Sequence, residues 1–321
     1  MNYHVLIPDN VDPAAIDLLE DTKSIVVTAP GKMTRAETLA AIPEADALII
    51  RSATKADAEL LMAAPKLKVI ARAGVGVDNI DLKVATERGV VVMNTPRGNT
   101  IAAAELTFEL MLALTRQIPP AHRSMQEHKW ERKRFMGTQL YGKTLGIIGL
   151  GRIGRALATR ALAFEMTVIA HDPFVPAESG QALGVPLVSL DDLYERSDFI
   201  SLHALVTDET REMINKDSIA RMKPGVRLVN AARGALVNEA DLANAIKSGH
   251  VAGVGVDVYV QEPPPDDHPL IGLEMVVHTP HIAASTFEAQ IAVAEEAAEL
   301  IIAALLRGEY QNVVNPAVLE P

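Results

Sequence analysis

Short apolar runs alternate with amphipathic stretches along the first ninety-odd residues. The runs are continuous in valine, isoleucine and leucine, which is typical of strands buried on both faces of a parallel sheet. They predict strands at residues 4–7, 25–28, 47–50, 68–71 and 90–93. The stretches between them predict helices at residues 13–20, 35–41, 55–63 and 82–88. This alternation of strand and helix predicts a doubly wound α/β domain.

A second strand-and-helix series begins near residue 144. Its apolar runs predict strands at residues 144–149, 166–171, 198–203, 226–230, 253–258 and 275–278. Longer helical patterns at 100–118 and 286–306 flank the series, and Pro119 and Pro120 are expected to end the first of them. Both are long enough to cross between domains, so we expect two α/β domains joined by helices. The sequence Gly-Val-Gly-Val-Asp occurs at 74–78 and 253–257, either by chance or because the two domains share equivalent strand ends.

Composition narrows the classes of protein to consider. The chain has 321 residues, enough for two domains of about 150 residues each. It has no cysteine, which excludes disulfides, thiolate zinc sites and cysteine nucleophiles, and we expect no metal. The net charge of −11 argues against binding to nucleic acid or to an acidic membrane. The N-terminus lacks a secretory pattern and residues 297–306 are too short to span a bilayer, so we expect a cytoplasmic protein.

A glycine-rich turn lies between the first strand and the first helix of the second series. Residues 149–154 fit the pattern G-x-G-x-x-G in the context that this pattern requires. Such a turn brings backbone N–H groups and the positive end of a helix to a pyrophosphate. Asp172, at the end of the next strand, would bind the ribose hydroxyls and repel a 2′-phosphate, which favours NAD over NADP. The predicted contacts in the turn are Gly149, Gly151, Arg152, Ile153 and Gly154.

Arg233, Glu262 and His281 each follow a predicted strand. Because loops at the carboxyl ends of strands form the ligand crevice of an open α/β sheet, the three are candidates for one site. Histidine suits proton exchange with a hydroxyl, a neighbouring carboxylate would stabilise the protonated imidazole, and arginine can hold a carboxylate with two hydrogen bonds. Spacing alone does not separate His281 from His278 or His203 as the acid–base group.

Together these motifs resemble the D-isomer-specific 2-hydroxyacid dehydrogenase family. The resemblance covers nearly the whole chain and rests on GLGRIG at 149–154, NAARG at 230–234, EPP at 262–264 and PH at 280–281. It implies that Arg233, Glu262 and His281 form the catalytic set, and that His203 and Asp257 join the residues that contact NAD. The fold it implies is α/β with two doubly wound parallel-sheet domains. In that fold a Rossmann NAD-binding domain at 99–285 is inserted into a flavodoxin-like substrate domain at 1–98 and 286–321.

Further stretches, at 51–54, 72–81, 93–99 and 129–137, resemble family members that oxidise 3-phospho-D-glycerate to 3-phosphohydroxypyruvate in serine biosynthesis. The resemblance implies that the backbone at 73–76 binds the substrate carboxylate and that arginines bind the distal phosphate. It also implies a homodimer, or a dimer of dimers, formed through the cofactor domains. The implied substrate ligands are Arg51, Ser52, Arg72, Ala73, Gly74, Val75, Gly76, Asn99 and Arg132 of the partner subunit.

The charged residues also have interpretations that do not involve the substrate. Arg51 and Arg72 could form surface ion pairs, and residues 128–134 could be a solvated or dimer-interface segment. The chain also departs from the family pattern. Residues 204–206 lack a hydroxyl that related enzymes offer to the cofactor, and Arg97 adds a charge near the substrate. Because the sequence ends at Pro321, we expect no serine feedback through a C-terminal regulatory domain.

The predicted function is NAD-dependent oxidation of a small anionic D-2-hydroxy acid, with 3-phospho-D-glycerate favoured. Hydroxypyruvate, glyoxylate or an anionic analogue such as sulfolactate are alternative substrates for the same chemistry. A non-catalytic NAD-sensing interaction protein is the alternative from a different class.

Overall fold

The computed structural model describes residues 2–320, which form two compact units. The first unit contains the residues up to Asn99 and those from Ser285 onward, and the second contains Thr100–Ala284. Each unit is built on one parallel sheet with helices. The predicted fold class of two parallel-sheet α/β domains is therefore confirmed. Within residues 2–320, no helix is both long enough and apolar enough to span a bilayer.

The strands follow one another along the chain in two groups. The first sheet contains β1 (Tyr3–Leu6), β2 (Ile25–Thr28), β3 (Ala47–Ile50), β4 (Val69–Arg72) and β5 (Val91–Asn94). The second sheet contains β6 (Thr144–Ile148), β7 (Thr167–His171), β8 (Phe199–Leu202), β9 (Val226–Asn230), β10 (Val251–Val256) and β11 (Val276–His278).

Helices connect these strands. In the first unit they are α1 (Pro13–Glu20), α2 (Arg35–Ala41), α3 (Ala58–Met62) and α4 (Leu82–Glu87). The second unit contains α5 (Thr100–Arg116), α6 (Ile118–Gln126), α7 (Arg152–Ala163), α8 (Ala177–Ala182), α9 (Leu190–Arg196), α10 (Lys216–Ala220) and α11 (Glu239–Lys247). The first unit is completed by α12 (Phe287–Arg307).

The first sheet has the strand order β2-β1-β3-β4-β5. Alternate residues of its strands enter two separate cores, because side chains in a strand point to opposite faces. Ile49 and Ala71 pack in the core that contains Ala297 and Ile301 of α12, whereas Ile50 packs in the core on the other face. Covered faces on both sides explain why the strands read as continuous apolar runs.

The register of the first sheet aligns the carboxyl ends of three neighbouring strands. Ile50, the last residue of β3, pairs with Arg72 of β4, and Arg72 pairs with Asn94 of β5. The loops that begin at Arg51, Ala73 and Thr95 therefore leave the sheet side by side.

The second sheet has the order β11-β10-β9-β8-β6-β7, and its strand ends are flush. One line of paired residues crosses the sheet at the carboxyl edge: His171, Ile148, Leu202, Asn230, Val256 and His278. The loops that follow these residues begin at a common edge, where ligands bind in open α/β sheets.

The structure differs from three interpretations of the sequence. Pro119 and Pro120 do not simply end a helix: α5 stops at Arg116, Gln117 takes a left-handed conformation (φ 50°), and the prolines lie in the first turn of α6. Proline is tolerated there because the N–H it lacks has no partner within the helix. The repeated pentapeptide does not mark equivalent strand ends, because residues 74–78 form a loop after β4 whereas 253–256 lie inside β10. Nor do the two long helices cross between the domains, because α5 lies wholly in the second unit and α12 wholly in the first.

Candidate active site

The glycine-rich turn joins β6 to α7. Gly149 has a left-handed backbone (φ 95°), and a Cβ on it would lie 2.7 Å from the carbonyl of His203. A Cβ on Gly154 would overlap the carbonyl oxygen of Gly149. At Gly151, by contrast, a Cβ would meet no atom within 4 Å. Two glycines thus close the turn tightly, and the third leaves open space in front of the helix.

The start of α7 suits an anion. Gly151 is the N-cap residue and supplies no side-chain acceptor to the first turn, which contains Arg152 and Ile153. The first N–H groups of a helix have no acceptor within the helix, and the helix dipole makes this end positive. The open space at Gly151 and the uncapped helix end fit a pyrophosphate.

Asp172 follows the last residue of β7 and lies beside this turn. Its Oδ2 accepts from the N–H of Leu150 at 2.8 Å, and its Oδ1 accepts from the N–H of Phe174 at 2.9 Å. The carboxylate is partly buried and fixed between two loops. Each oxygen keeps a further lone pair for a hydroxyl donor. The arrangement fits the ribose of NAD and disfavours a 2′-phosphate.

Two other residues predicted to contact the cofactor follow β8 and β10. His203 is partly buried, its Nε2 lies 2.8 Å from Ser201 Oγ, and burial lowers its pKa to about 4. Asp257 has no exposed surface; it accepts from the N–H groups of Ile282 and Ala283 at 2.8 and 2.9 Å. His203 is therefore neutral near pH 7, and Asp257 fixes the loop that follows β11.

The lowered pKa of His203 predicts a loss of stability in acid. The unfolded chain binds a proton at this residue below about pH 6.5 and the folded chain only near pH 4, so the free energy of unfolding falls as pH decreases between these values. We expect His203→Gln to reduce the loss between pH 7 and pH 4 by about 2 kcal/mol. Urea unfolding of the cofactor-free proteins across this range measures the difference, and parallel pH profiles would contradict it.

The loop after β11 brings His281 to Glu262. His281 Nδ1 lies 2.6 Å from Glu262 Oε2, and Glu262 Oε1 accepts from the N–H of Tyr259 at 3.0 Å. His281 has a left-handed backbone (φ 53°), and its N–H donates to the carbonyl oxygen of Asp257 at 2.8 Å. The side chain of His281 is half exposed. With Nδ1 engaged by the carboxylate, Nε2 is the ring nitrogen available for proton exchange with a ligand.

The structure distinguishes among the three candidate histidines. His278 is partly buried; its Nδ1 lies 2.9 Å from the hydroxyl of Tyr259, and burial lowers its pKa. His203 contacts a serine hydroxyl. Among these three, His281 is the one that contacts a carboxylate.

Arg233 follows β9 and is partly buried. Its carbonyl oxygen accepts from Asn230 Nδ2 at 2.9 Å, and its guanidinium donates to the carbonyl of Ala232 at 2.6 Å. A Cβ on the adjacent Gly234 would overlap the carbonyl carbon of Tyr259. The loop that carries Arg233 therefore packs directly against the segment that leads to Glu262.

The predicted substrate ligands at β3 lie in a tightly held loop. Asp9 is buried and accepts from the N–H of Arg51 at 2.6 Å and from the hydroxyl of Thr54 at 2.6 Å. Asn79 Nδ2 donates to the carbonyl oxygens of Arg51 and Thr54. The guanidinium of Arg51 donates to the carbonyl of Asn10 at 3.0 Å, whereas Ser52 is exposed.

The loop after β4 is held in the same way. Thr95 Oγ1 accepts from the N–H of Gly74 at 2.6 Å, and Asn94 Nδ2 donates to the carbonyl of Val75 at 2.7 Å. The guanidinium of Arg72 lies where a Cβ on Gly74 would be and donates to the carbonyl of Ala73 at 3.0 Å. Glycine is favoured at 74 by its backbone conformation (φ 142°), which residues other than glycine rarely adopt, and the guanidinium of Arg72 fills the space beside it. Gly76, the last residue of this predicted carboxylate-binding loop, is partly buried.

Other predicted ligands are less constrained. Asn99 is partly buried at the end of the first segment of its unit, and Arg132 is exposed in the second unit. Arg97, expected to add a charge near the substrate, donates from Nε to Oε1 of the buried Glu296 at 3.1 Å. Its charge is therefore balanced within its own unit.

Sequence reasoning missed the residues that hold these loops, among them Asp9, Asn79 and Thr95. Asp9 follows the first predicted strand by two residues, so its position at a carboxyl strand end was a usable signal. For Asn79 and Thr95 the signal lies in the register between strands, which a single sequence does not display.

A family model described as "D-isomer specific 2-hydroxyacid dehydrogenase, NAD binding domain" matches residues 108–283, more than half of the chain. The chain belongs to the D-isomer-specific 2-hydroxyacid dehydrogenase family. The matched residues lie within the second unit.

Similar proteins agree with this assignment. D-3-phosphoglycerate dehydrogenase of Archaeoglobus fulgidus is 50% identical over 317 residues, covering 99% of this chain and 60% of that protein. The crystal structure of the TT0316 protein from Thermus thermophilus is 37% identical with a TM-score of 0.87, covering 97% of this chain and 99% of that one. D-lactate dehydrogenase from Aquifex aeolicus, solved with NAD and lactic acid, is 29% identical with a TM-score of 0.83, covering 97% and 99%. The chain spans about 60% of the length of the curated relatives it matches.

Proposed function

We propose that this family member oxidises a D-2-hydroxy acid with NAD, and that its substrate is 3-phospho-D-glycerate, which becomes 3-phosphohydroxypyruvate. The observation that carries the chemistry is the 2.6 Å contact between His281 and Glu262 in an NAD-binding domain. The similarity to D-3-phosphoglycerate dehydrogenases supports this choice of substrate.

His281 exchanges a proton with the hydroxyl on C2 of the substrate. In the oxidation, Nε2 accepts the hydroxyl proton while the C2–H bond breaks and the C2–O bond becomes a carbonyl. NAD supplies the acceptor for the hydride that leaves C2. Glu262 accepts the hydrogen bond from Nδ1–H and stabilises the imidazolium that forms. In the reverse direction the imidazolium returns the proton to the carbonyl oxygen.

Arg233 holds the substrate carboxylate and polarises the adjacent C2–O bond. Its guanidinium offers a planar pair of donors that matches a carboxylate, and its positive charge stabilises the oxygen when that atom carries negative charge. The backbone of 73–76 adds N–H donors to the carboxylate.

The first unit supplies the substrate-binding domain of this proposal. Arg51 and Arg72 stand at the ends of neighbouring strands and bind the distal phosphate with charge-assisted hydrogen bonds. The proposed substrate contacts are completed by Ser52, Ala73, Gly74, Val75, Gly76, Asn99 and Arg132 of the partner subunit.

The proposed assembly is a homodimer formed through the NAD-binding domains. Trp130 and Met136 of the second unit are 74% and 81% exposed. We propose that a partner covers these two side chains, since contiguous exposed apolar patches mark protein–protein interaction sites. Their position on either side of Arg132 supports a contribution of this residue across the dimer.

Replacing Arg51 with alanine separates phosphorylated from unphosphorylated substrates. We expect kcat/KM for 3-phospho-D-glycerate to fall about 100-fold, since about 2–3 kcal/mol of charge-assisted bonding is lost. For D-glycerate, which has no phosphate, we expect a change within about threefold. The measurement is steady-state NADH formation with both substrates.

The control is Arg35→Ala, which removes another arginine of the first unit, one paired with Asp57 and Glu59. An equal loss on both substrates in Arg51→Ala would contradict the phosphate assignment. A panel with hydroxypyruvate, glyoxylate and sulfolactate tests the substrate: a higher kcat/KM for one of these would replace 3-phospho-D-glycerate. Failure of all of them to oxidise NADH or reduce NAD would favour an NAD-sensing role.

A further inference from the structure

The backbone of Tyr259 and Val260, which shortly precedes Glu262, forms hydrogen bonds and close contacts with three residues. The N–H of Tyr259 donates to Glu262 Oε1 at 3.0 Å, and the N–H of Val260 donates to Glu239 Oε1 at 3.1 Å. Gly234 packs against the same peptide so closely that a Cβ would overlap it. Adjacent backbone donors are thus divided between Glu262, which contacts His281, and Glu239, which lies on α11.

Glu239 is itself held in place away from solvent. It is the first residue of α11, and its Oε2 lies 2.9 Å from Nε2 of His268. The side chain of His268 is buried and meets the ring of Tyr259 edge-on, with 5.2 Å between ring centroids. Glu239 therefore contacts both the backbone of Val260 and His268, and His268 in turn packs against the ring of Tyr259.

An acidic residue in the first turn of a helix ordinarily stabilises the helix by interacting with its dipole. Asp241 lies in that same turn and accepts from the N–H of Lys216 at 2.9 Å. It therefore has the charge, the helix position and one backbone donor in common with Glu239. The contacts with Val260 and with His268 distinguish Glu239 from Asp241, and the contact with Val260 leads to Glu262.

We propose that Glu239 is a positioning residue for Glu262. Glu239 accepts the hydrogen bond from the N–H of Val260 and so fixes the orientation of the backbone at this residue. The neighbouring N–H of Tyr259 binds Glu262, so this orientation also sets how Glu262 approaches His281. This inference rests on the proposed function, in which Glu262 supports proton exchange at His281. Glu239 contacts neither substrate nor the reacting atoms, and acts through the backbone of the turn.

Glu239→Ala is expected to lower kcat about tenfold while the KM values for NAD and for the 2-hydroxy acid change within about twofold, because small displacements of catalytic groups affect the chemical step. Glu239→Gln keeps an oxygen for the N–H of Val260 and should restore at least half of the kcat. In a Glu262→Gln background, Glu239→Ala should have almost no further effect, because the carboxylate that it positions is already absent. Steady-state kinetics of the three single variants and the double variant test these expectations.

Asp241→Ala is the matched control. It should lower thermal stability by about as much as Glu239→Ala and leave kcat unchanged. An unchanged kcat in Glu239→Ala would overturn the proposal. So would a full additional tenfold loss in the Glu262→Gln background, because the two residues would then act independently.

A second readout does not depend on turnover. Glu239→Ala should speed hydrogen exchange of the Val260 amide and shift the ¹⁵N resonance of His281 Nδ1, whereas Asp241→Ala should change neither. If the wild-type protein oxidises none of the 2-hydroxy acids, the proposed function fails and these two signals alone decide the positioning role. Unchanged signals in Glu239→Ala would then refute it.

Discussion

Replacing His281 with alanine is expected to lower kcat for the 2-hydroxy acid about 10³-fold. General acid–base catalysis contributes on the order of 10²–10⁴ to such reactions, and without imidazole the hydroxyl proton has no acceptor fixed by Glu262. NADH affinity should change within about threefold, because the proposed pyrophosphate and ribose contacts come from the turn after β6 and from Asp172. Steady-state kinetics together with NADH fluorescence titration measure both quantities.

His278→Gln is the control for this variant. His278 is the last residue of β11 and lies close to His281 in the sequence, but it contacts the Tyr259 hydroxyl. Glutamine can keep that hydrogen bond. We expect its kcat to stay within about threefold of the wild type. A near-normal kcat in His281→Ala, or a 10³-fold loss in His278→Gln, would mean that the acid–base group has been assigned to the wrong histidine.

The strands of both sheets could be predicted because helices cover both faces of each sheet. Ile49 and Ile50 enter opposite cores, so neither position tolerates a polar residue and the run stays apolar throughout. The interruption after Arg116 could not be predicted in the same way. Pro119 and Pro120 are compatible with a helix end and with a helix start, and the left-handed conformation of Gln117 decides between them.

The candidate site could be predicted as far as it depends on strand ends. Gly149, Asp172 and Arg233 each directly follow or lie close behind a strand, and the flush register of the second sheet brings these positions to one edge. The family resemblance is confirmed by the comparison with known proteins, and the model of the family's NAD-binding domain matches residues 108–283. The individual roles of Arg233, Glu262 and His281 stay predictions.

The sequence could not predict which backbone groups the residues that hold the loops would bind. Asp9 lies 42 residues from Arg51 and binds its N–H through a side chain, and Glu239 lies 21 residues from Val260. Neither pair belongs to a local motif such as a helix cap. Such contacts depend on how distant loops pack in the folded chain, and no periodicity of the sequence predicts them.

Substitutions in the glycine turn give a second large expected effect. Gly151→Ala should impair NADH binding without loss of stability, whereas Gly154→Ala should lower stability. Gly151→Ala should raise the Kd for NADH at least 100-fold and leave the melting temperature within about 2 °C. A Cβ at Gly151 meets no protein atom within 4 Å, and its backbone (φ −73°) suits alanine, so the folded chain accepts it. The added methyl group instead occupies the space through which a pyrophosphate approaches the start of α7, and a 100-fold loss corresponds to about 2.7 kcal/mol.

Gly154→Ala should instead destabilise the protein. Its Cβ would overlap the carbonyl oxygen of Gly149, so the turn between β6 and α7 must open, and we expect a loss of about 2 kcal/mol or more in the free energy of unfolding. Differential scanning calorimetry and NADH titration of both variants separate the two effects. Gly151 is part of the cofactor site if its substitution impairs binding without loss of stability. Tight NADH binding in Gly151→Ala would show that the open space at this residue is not where the pyrophosphate lies.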